Sequence, residues 1–167
     1  MQKLPPLIVT IKLNDEAQVH FNELRSRYYP AYCNYVHAHI TLFHKLSSQL
    51  TLIDEVLATH ALQPSFEMQV NGVINMGSGV AYTLASAQLI ETHKKLQKAF
   101  KGFLVLKDQK KLWPHITIQN KVTAFKAQQT AELLQQNFKP FTIQAIGFST
   151  YLFKKNRWIY QKDYLFL

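Results

Sequence analysis

The sequence predicts a mixed helix-and-strand fold in which one β-α-β-α-β unit is used twice. Three observations carry this. Apolar residues switch between strand-like runs and helical spacing in the same order in both halves. Residue identities repeat with that order: His39 and Thr41 recur as His115 and Thr117, and Phe66, Gln69 and Gly72 recur as Phe141, Gln144 and Gly147. Polar positions match as well as apolar ones, which favours duplication over a chance likeness of two amphipathic halves. The offset differs by one residue between the two sets, consistent with a single deletion.

In the first unit, Leu7–Leu13 reads as a strand. Asn14 can cap a helix with Asp15 and Glu16 in its first turn, where acids suit the dipole, and Ala17, Phe21, Leu24 and Tyr28 form its apolar stripe. A tyrosine-rich loop with Pro30 leads to a strand over Val36–Phe43. A helix from Ser48 to Ala61 follows, with Leu50, Ile53, Leu57 and Ala61 inward, then a strand over Ser65–Met76 and a Gly77-Ser78-Gly79 turn. The second unit has a strand over Val80–Ala85 and a helix from Ser86 to Lys101 with Leu89, Leu96, Phe100 and Phe103 inward. A strand over Leu112–Gln119 comes next, then a helix capped by Thr123 with Ala127, Ala131, Leu134 and Phe138 inward, then a strand over Phe141–Phe153. A last strand, Trp158–Phe166, follows a turn at Asn156-Arg157. The 167 residues are expected to form a single domain of two lobes, with repeats over 7–76 and 80–153 and a C-terminal strand over 158–166.

The formal charge of +9 is lopsided: residues 1–83 carry 5 basic and 6 acidic side chains, residues 84–167 carry 14 and 4. A one-sided basic surface suits a polyanionic partner such as a nucleotide or RNA. Cys33 is the single cysteine, which excludes an internal disulfide and a cysteine-based zinc site. There is no secretory h-region and no apolar run of membrane-spanning length, so a cytoplasmic protein without membrane attachment is expected.

The chemistry lies in two matching segments, His39-Ile40-Thr41-Leu42 and His115-Ile116-Thr117-Ile118. On a strand, residues i and i+2 share a face roughly 7 Å apart. Each segment therefore offers an imidazole and a hydroxyl on one side and aliphatics on the other. Pseudo-two-fold symmetry would set the two imidazoles across a shared cleft. An imidazole with its pKa of about 6.5 can accept or donate a proton near neutrality. One neutral ring can take a proton from an attacking oxygen and one charged ring can give a proton to a leaving oxygen. In-line displacement at phosphorus needs these on opposite sides, and the threonine hydroxyls can hold the non-bridging oxygens.

This paired H-x-T-x arrangement resembles the 2H phosphoesterase superfamily, which includes bacterial 2′-5′ RNA ligase-like proteins and cyclic nucleotide phosphodiesterases. The spacing of the two motifs, Pro114 before the second histidine and the chain length fit as well. The resemblance implies a bilobal α+β fold, with two antiparallel sheets lining a central cleft and helices outside. It implies metal-independent chemistry on 2′,3′-cyclic phosphate or 2′-5′ phosphodiester bonds of RNA or nucleotides, by hydrolysis or reversible ligation; a monomer without a cofactor is expected. His39 and His115 would be the acid–base pair, and Thr41 and Thr117 the phosphate ligands. The sequence does not distinguish base from acid; analogy points to His115 as the base in hydrolysis.

Other residues carry weaker signals. Trp113 and His37 each stand two before a motif histidine, and Phe43 stands two beyond Thr41, so all three are candidates for cleft wall or base stacking. His44 reads as structural and His93 as a helix-boundary residue. Lys107, Lys110 and Lys111 precede the second motif and could guide an RNA backbone, whereas Lys94, Lys98 and Lys101 read as a solvated helix face. No H-E-x-x-H spacing is present. A nucleotide- or RNA-binding module without turnover, and a metal-dependent hydrolase, are the competing functions.

Overall fold

The structure, a computed structural model, describes residues 5–46 and 50–167. Seven strands and four helices follow the expected order: β1 (Leu7–Leu13), α1 (Asp15–Tyr28), β2 (Ile40–Leu46), α2 (Leu50–His60), β3 (Phe66–Asn75), β4 (Val80–Ala85), α3 (Ala87–Ala99), β5 (His115–Gln119), α4 (Ala124–Gln136), β6 (Phe141–Lys154) and β7 (Arg157–Leu165). Short 3-10 turns at Ala31–Cys33 and Leu106–Gln109 precede β2 and β5. The expected start of α2 at Ser48 lies outside the described residues.

All strand pairs are antiparallel, and the sheet order is β2-β1-β6-β3-β4-β5, with β7 also on β6. The expected pair of sheets is therefore one continuous ladder. The reason is β6, whose Phe141–Ala145 segment pairs with β3 while Ala145–Leu152 pairs with β1. The pairing is symmetric: β1 pairs with β2 as β4 does with β5, and β1 pairs with β6 as β4 does with β3. The repeat glycines share a task. A Cβ on Gly72 would come within 2.9 Å of Thr83 Oγ1 on β4, and one on Gly147 within 2.5 Å of the Tyr164 carbonyl on β7.

The core is built as the apolar pattern dictates. Val9, Ile11, Leu13, Phe21, Leu57, Met68, Leu89, Leu96, Ile116, Ala131 and Phe148 are all buried. Two caps differ in outcome. Thr123 Oγ1 accepts the Lys126 amide as expected. Asn14 precedes α1 without capping it, because its Oδ1 accepts the Gln144 amide while its own amide donates to the Gln144 carbonyl.

Both motif strands start later than their apolar patterns suggest. Ala38 is tied to α1: its amide donates to Asn22 Oδ1 and its carbonyl accepts from Gln18 Nε2. The segment 36–39 is thus held by a helix instead of a strand partner, and β2 begins at Ile40. Pro114 has no N–H to give a ladder, and β5 begins at His115.

Candidate functional site

The two motifs lie at β2 and β5, the two ends of the β2-β1-β6-β3-β4-β5 path, with His39 immediately before β2, and share a local build. His39 Nδ1 lies 2.6 Å from the His37 carbonyl, and His115 Nδ1 lies 2.9 Å from the Trp113 carbonyl. A carbonyl only accepts, so in each ring Nδ1 carries the proton and donates it. The neutral ring then keeps its lone pair on Nε2. Ile40, Leu42, Ile116 and Ile118 are buried, which leaves Thr41 and Thr117 half-buried on the other side.

A bulge follows each threonine. Thr10 pairs with Thr41 but Val9 pairs with Phe43, so Leu42 is an extra residue; Ala81 pairs with Thr117 but Val80 with Gln119, so Ile118 is its counterpart. The bulge puts Phe43 on the face opposite Thr41. Phe43 is accordingly fully buried, edge-on to Phe100 and stacked on His93, and it is not the cleft-wall residue expected from strict alternation. His44 takes up the side of Thr41 instead.

Each edge strand is capped by a polar side chain from a helix. Arg25 of α1 donates from Nη1 to the Thr117 carbonyl at 2.8 Å and from Nε to Asn34 Oδ1 at 3.1 Å, with its guanidinium 4.2 Å from the Tyr29 ring centre. It ties the loop before the first motif to the strand of the second. It is only 4% exposed, burial lowers its proton affinity, and no carboxylate pairs with it among the described residues. On the other edge, His93 of α3 has Nε2 3.2 Å from the Leu42 carbonyl. Burial also lowers His93, which makes it a buried neutral donor instead of a boundary residue.

Thr41 of the first motif and His115 of the second line one cavity of about 400 Å³. Its other walls include His44, Trp113 and three lysines of the 105–111 loop. A second cavity of about 280 Å³ opens on the α1 side, lined by Asn22, Arg25, Asn34 and His37. Burial pushes the His39 imidazole down to about 4; the His37 carbonyl works against this, while the charges of Arg25, His115 and His44 add to it. A cavity of about 410 Å³ at Asp54, Lys162 and Tyr164 offers less chemistry, because Lys162 and the Tyr164 hydroxyl already bond the Asp54 carboxylate.

Trp113 is exposed and stacked on His115, with ring centres 4.5 Å apart. His37 is exposed, with Nδ1 3.1 Å from Asn22 Nδ2. Three features lie outside the residues assigned to the site from the sequence. Trp158 of β7 packs 4.7 Å from His39, backed by Tyr151 at 5.6 Å. Arg25 continues the buried Ala17–Phe21 stripe at i+4, a visible signal for a polar group aimed inward. Asp108, at 3% exposure, accepts the His44 and Lys45 amides and faces His44 Nδ1 at 3.0 Å. Among the described residues no group of three or more His, Cys, Asp or Glu is arranged to hold a metal ion, and no helix is long and apolar enough to cross a membrane.

A sequence profile of the 2′-5′ RNA ligase superfamily matches residues 13–152. Comparison with curated proteins gives no match. Among solved structures, the fold is similar to that of E. coli LigT complexed with NADP+, at 17% identity over 98% of each chain with a TM-score of 0.62. It is also similar to TT0787 of Thermus thermophilus, at 15% identity over 96% of this chain and 97% of that one, TM-score 0.65. Kluyveromyces marxianus Usb1 is a further likeness, at 12% identity over 95% of this chain and 97% of that one, TM-score 0.51. At such identities the structural likeness is one of fold.

Proposed function

Because the chain belongs to the 2′-5′ RNA ligase superfamily, we propose that it is a metal-independent phosphodiesterase, or reversible ligase, that acts on 2′,3′-cyclic phosphate or 2′-5′ phosphodiester bonds of RNA or nucleotides. The observation that carries this is the matched pair of imidazoles, each with Nδ1 committed to the carbonyl two residues back and Nε2 left to work. E. coli LigT has been solved with 3′-AMP, with ATP and with phosphate, which supports a nucleotide or RNA substrate here.

In hydrolysis of a cyclic phosphate, one neutral Nε2 takes a proton from water as the water oxygen bonds to phosphorus. The ring oxygen on the opposite side leaves with the bond's electron pair and takes a proton from the second, charged imidazole. Thr41 and Thr117 donate to the non-bridging oxygens, where negative charge is held in the transition state. Ligation is the same path reversed, with the two roles exchanged. The neutral state of His39 in the free protein favours it as the proton acceptor in hydrolysis, against the family analogy.

The test is turnover of adenosine 2′,3′-cyclic phosphate in EDTA by the wild type, His39→Ala and His115→Ala. General acid–base catalysis contributes about 10²–10⁴-fold per group, so each variant is expected to lose at least about 100-fold. Equal rates in all three proteins would overturn the reading. Nucleotide binding with no product across cyclic and 2′-5′ linked substrates would make the protein a binding module, and loss of wild-type activity on chelation would make it a metal enzyme.

A further inference from the structure

The loop between α3 and β5 has a purpose that the two motifs do not explain. Its backbone is pinned from several directions. The buried Asp108 carboxylate accepts the amides of His44 and Lys45 on β2, and Gln97 of α3 donates from Nε2 to both the Asp108 and Lys110 carbonyls at 2.9 Å. Leu104 forms a bridge to Leu46, and Gln109 Nε2 donates to the Leu104 carbonyl. A loop held this firmly still carries three exposed lysines, Lys107, Lys110 and Lys111, along one wall of the 400 Å³ cavity.

Among the described residues those lysines have no partner acid. The ion pairs among the described residues involve Lys12, His44, Lys95 and Lys162. The one carboxylate in the cavity wall, Asp108, is turned inward to the β2 amides and to His44. The other titratable groups facing the space are His93, neutral and bonded to the Leu42 carbonyl, and His115 itself. Three like charges held on one concave wall repel one another unless an anion lies among them.

The anion is identified by what else lines the cavity. Thr41 and His115, the groups proposed to meet the reacting phosphate, line the same space, with exposed Trp113 between them and the lysines in the chain. A cavity of this size suits one nucleotide. A nucleoside whose 2′ or 3′ phosphate sits at the motifs carries its next phosphate on the 5′ oxygen, and Trp113 offers its ring a stacking surface. Resting on the catalytic reading above, we infer that Lys107, Lys110 and Lys111 form a second phosphate site, which takes the 5′-phosphate of the nucleoside whose 2′ or 3′ phosphate is processed. The protein therefore prefers 5′-phosphorylated nucleotides or RNA ends over nucleosides with a free 5′-hydroxyl.

Calorimetric titration with adenosine 3′-phosphate and adenosine 3′,5′-bisphosphate at low salt tests this without turnover. The bisphosphate is expected to bind at least about tenfold more tightly, as multiple charge-assisted contacts give. In K107A/K110A/K111A that advantage is expected to fall to about twofold or less, with 3′-phosphate binding kept within about threefold. The matched charge change K94A/K98A/K101A is expected to leave the advantage intact. An RNA pentamer with a 3′-phosphate that binds at least as well as the bisphosphate assigns the site to RNA chains; one that binds less than a tenth as well assigns it to free nucleotides. Equal affinity for the two adenylates, or an advantage that survives in K107A/K110A/K111A, overturns the site. Bisphosphate preference without turnover of any cyclic phosphate refutes the catalytic reading alone, and turnover without the preference refutes the second site alone.

Discussion

His39 provides a sharp test of the geometry, because its environment must show in the stability of the whole protein. In the unfolded chain its imidazole takes a proton near 6.5, while in the folded protein burial and the neighbouring cations hold it at about 4. Between these values the unfolded chain binds a proton that the folded state refuses. Stability is therefore full above pH 6.5 and is lost as pH falls toward 4. Between pH 7.5 and 5.5 this group alone should remove about 1.3 kcal/mol, rising toward a limit of about 3 kcal/mol near pH 4. The comparison is wild type against His39→Gln, each unfolded in urea at the two pH values. Only the wild type carries the His39 contribution, so the difference isolates it from every other titrating group. A shift of about 3–5 °C in the difference between melting temperatures is the equivalent thermal readout for a chain of this size. Long-range ¹H–¹⁵N spectra of the wild type should show a protonated Nδ1 and a bare Nε2 on His39 at pH 6. Identical pH dependence in the two proteins, or a His39 ring titrating near 6.5, would refute the reasoning.

Four further outcomes follow from the same contacts. The pH profile of kcat/KM for a cyclic nucleotide should show a limb near 4 that is absent in His39→Gln, since burial lowers that ring whichever way the proton moves; a wild-type profile with no limb in that range would reject the lowered affinity of His39. Arg25→Ala should cost about 3 kcal/mol in urea unfolding, since it deletes two bonds from a charged donor and leaves the Thr117 carbonyl and Asn34 Oδ1 unserved; a loss below 1 kcal/mol would mean water replaces it at about no cost. Burial pushes the Asp108 carboxyl up, but the bonds from His44 and the His44 and Lys45 amides outweigh this and hold it below the usual carboxylate range. Asp108→Asn should therefore cost about 2 kcal/mol at pH 7, with the difference from wild type shrinking as acid protonates the native carboxyl. Phe43→Ala should destabilise by about 3–5 kcal/mol while Trp113→Ala stays within about 0.5 kcal/mol, and the reverse order in a melting experiment would reject the burial assigned to each.

The element order is legible in the sequence because it rests on periodicity alone, and the paired H-x-T-x segments are legible because they repeat. What escapes the sequence depends on register. Strict alternation puts Phe43 on the face of His39 and Thr41, which holds only for an unbroken strand; the extra residue at Leu42 turns it into the core and brings His44 round. The apolar pattern overruns the strand starts at Val36 and Leu112, because it does not reveal that Gln18 and Asn22 take the Ala38 backbone, or how early Pro114 ends a ladder. Trp158 and Asp108 approach the site across long sequence separations, and no local spacing points to such contacts. Arg25 is different: its place four residues after Phe21 on a buried stripe is readable, and a lone cation there is already a sign of an interior task.

The exchange of third strands between the two halves has a mechanical result. With β3 laddered to β4 and β6 to β1, neither half possesses a complete sheet of its own, and cutting the chain at the Gly77–Gly79 turn would leave each fragment missing a neighbour that only the other supplies. The edge strand that begins just after His39 and the one that begins with His115 are thus linked through four intervening strands. The full ladder must therefore close before the two motif segments take up their places relative to one another.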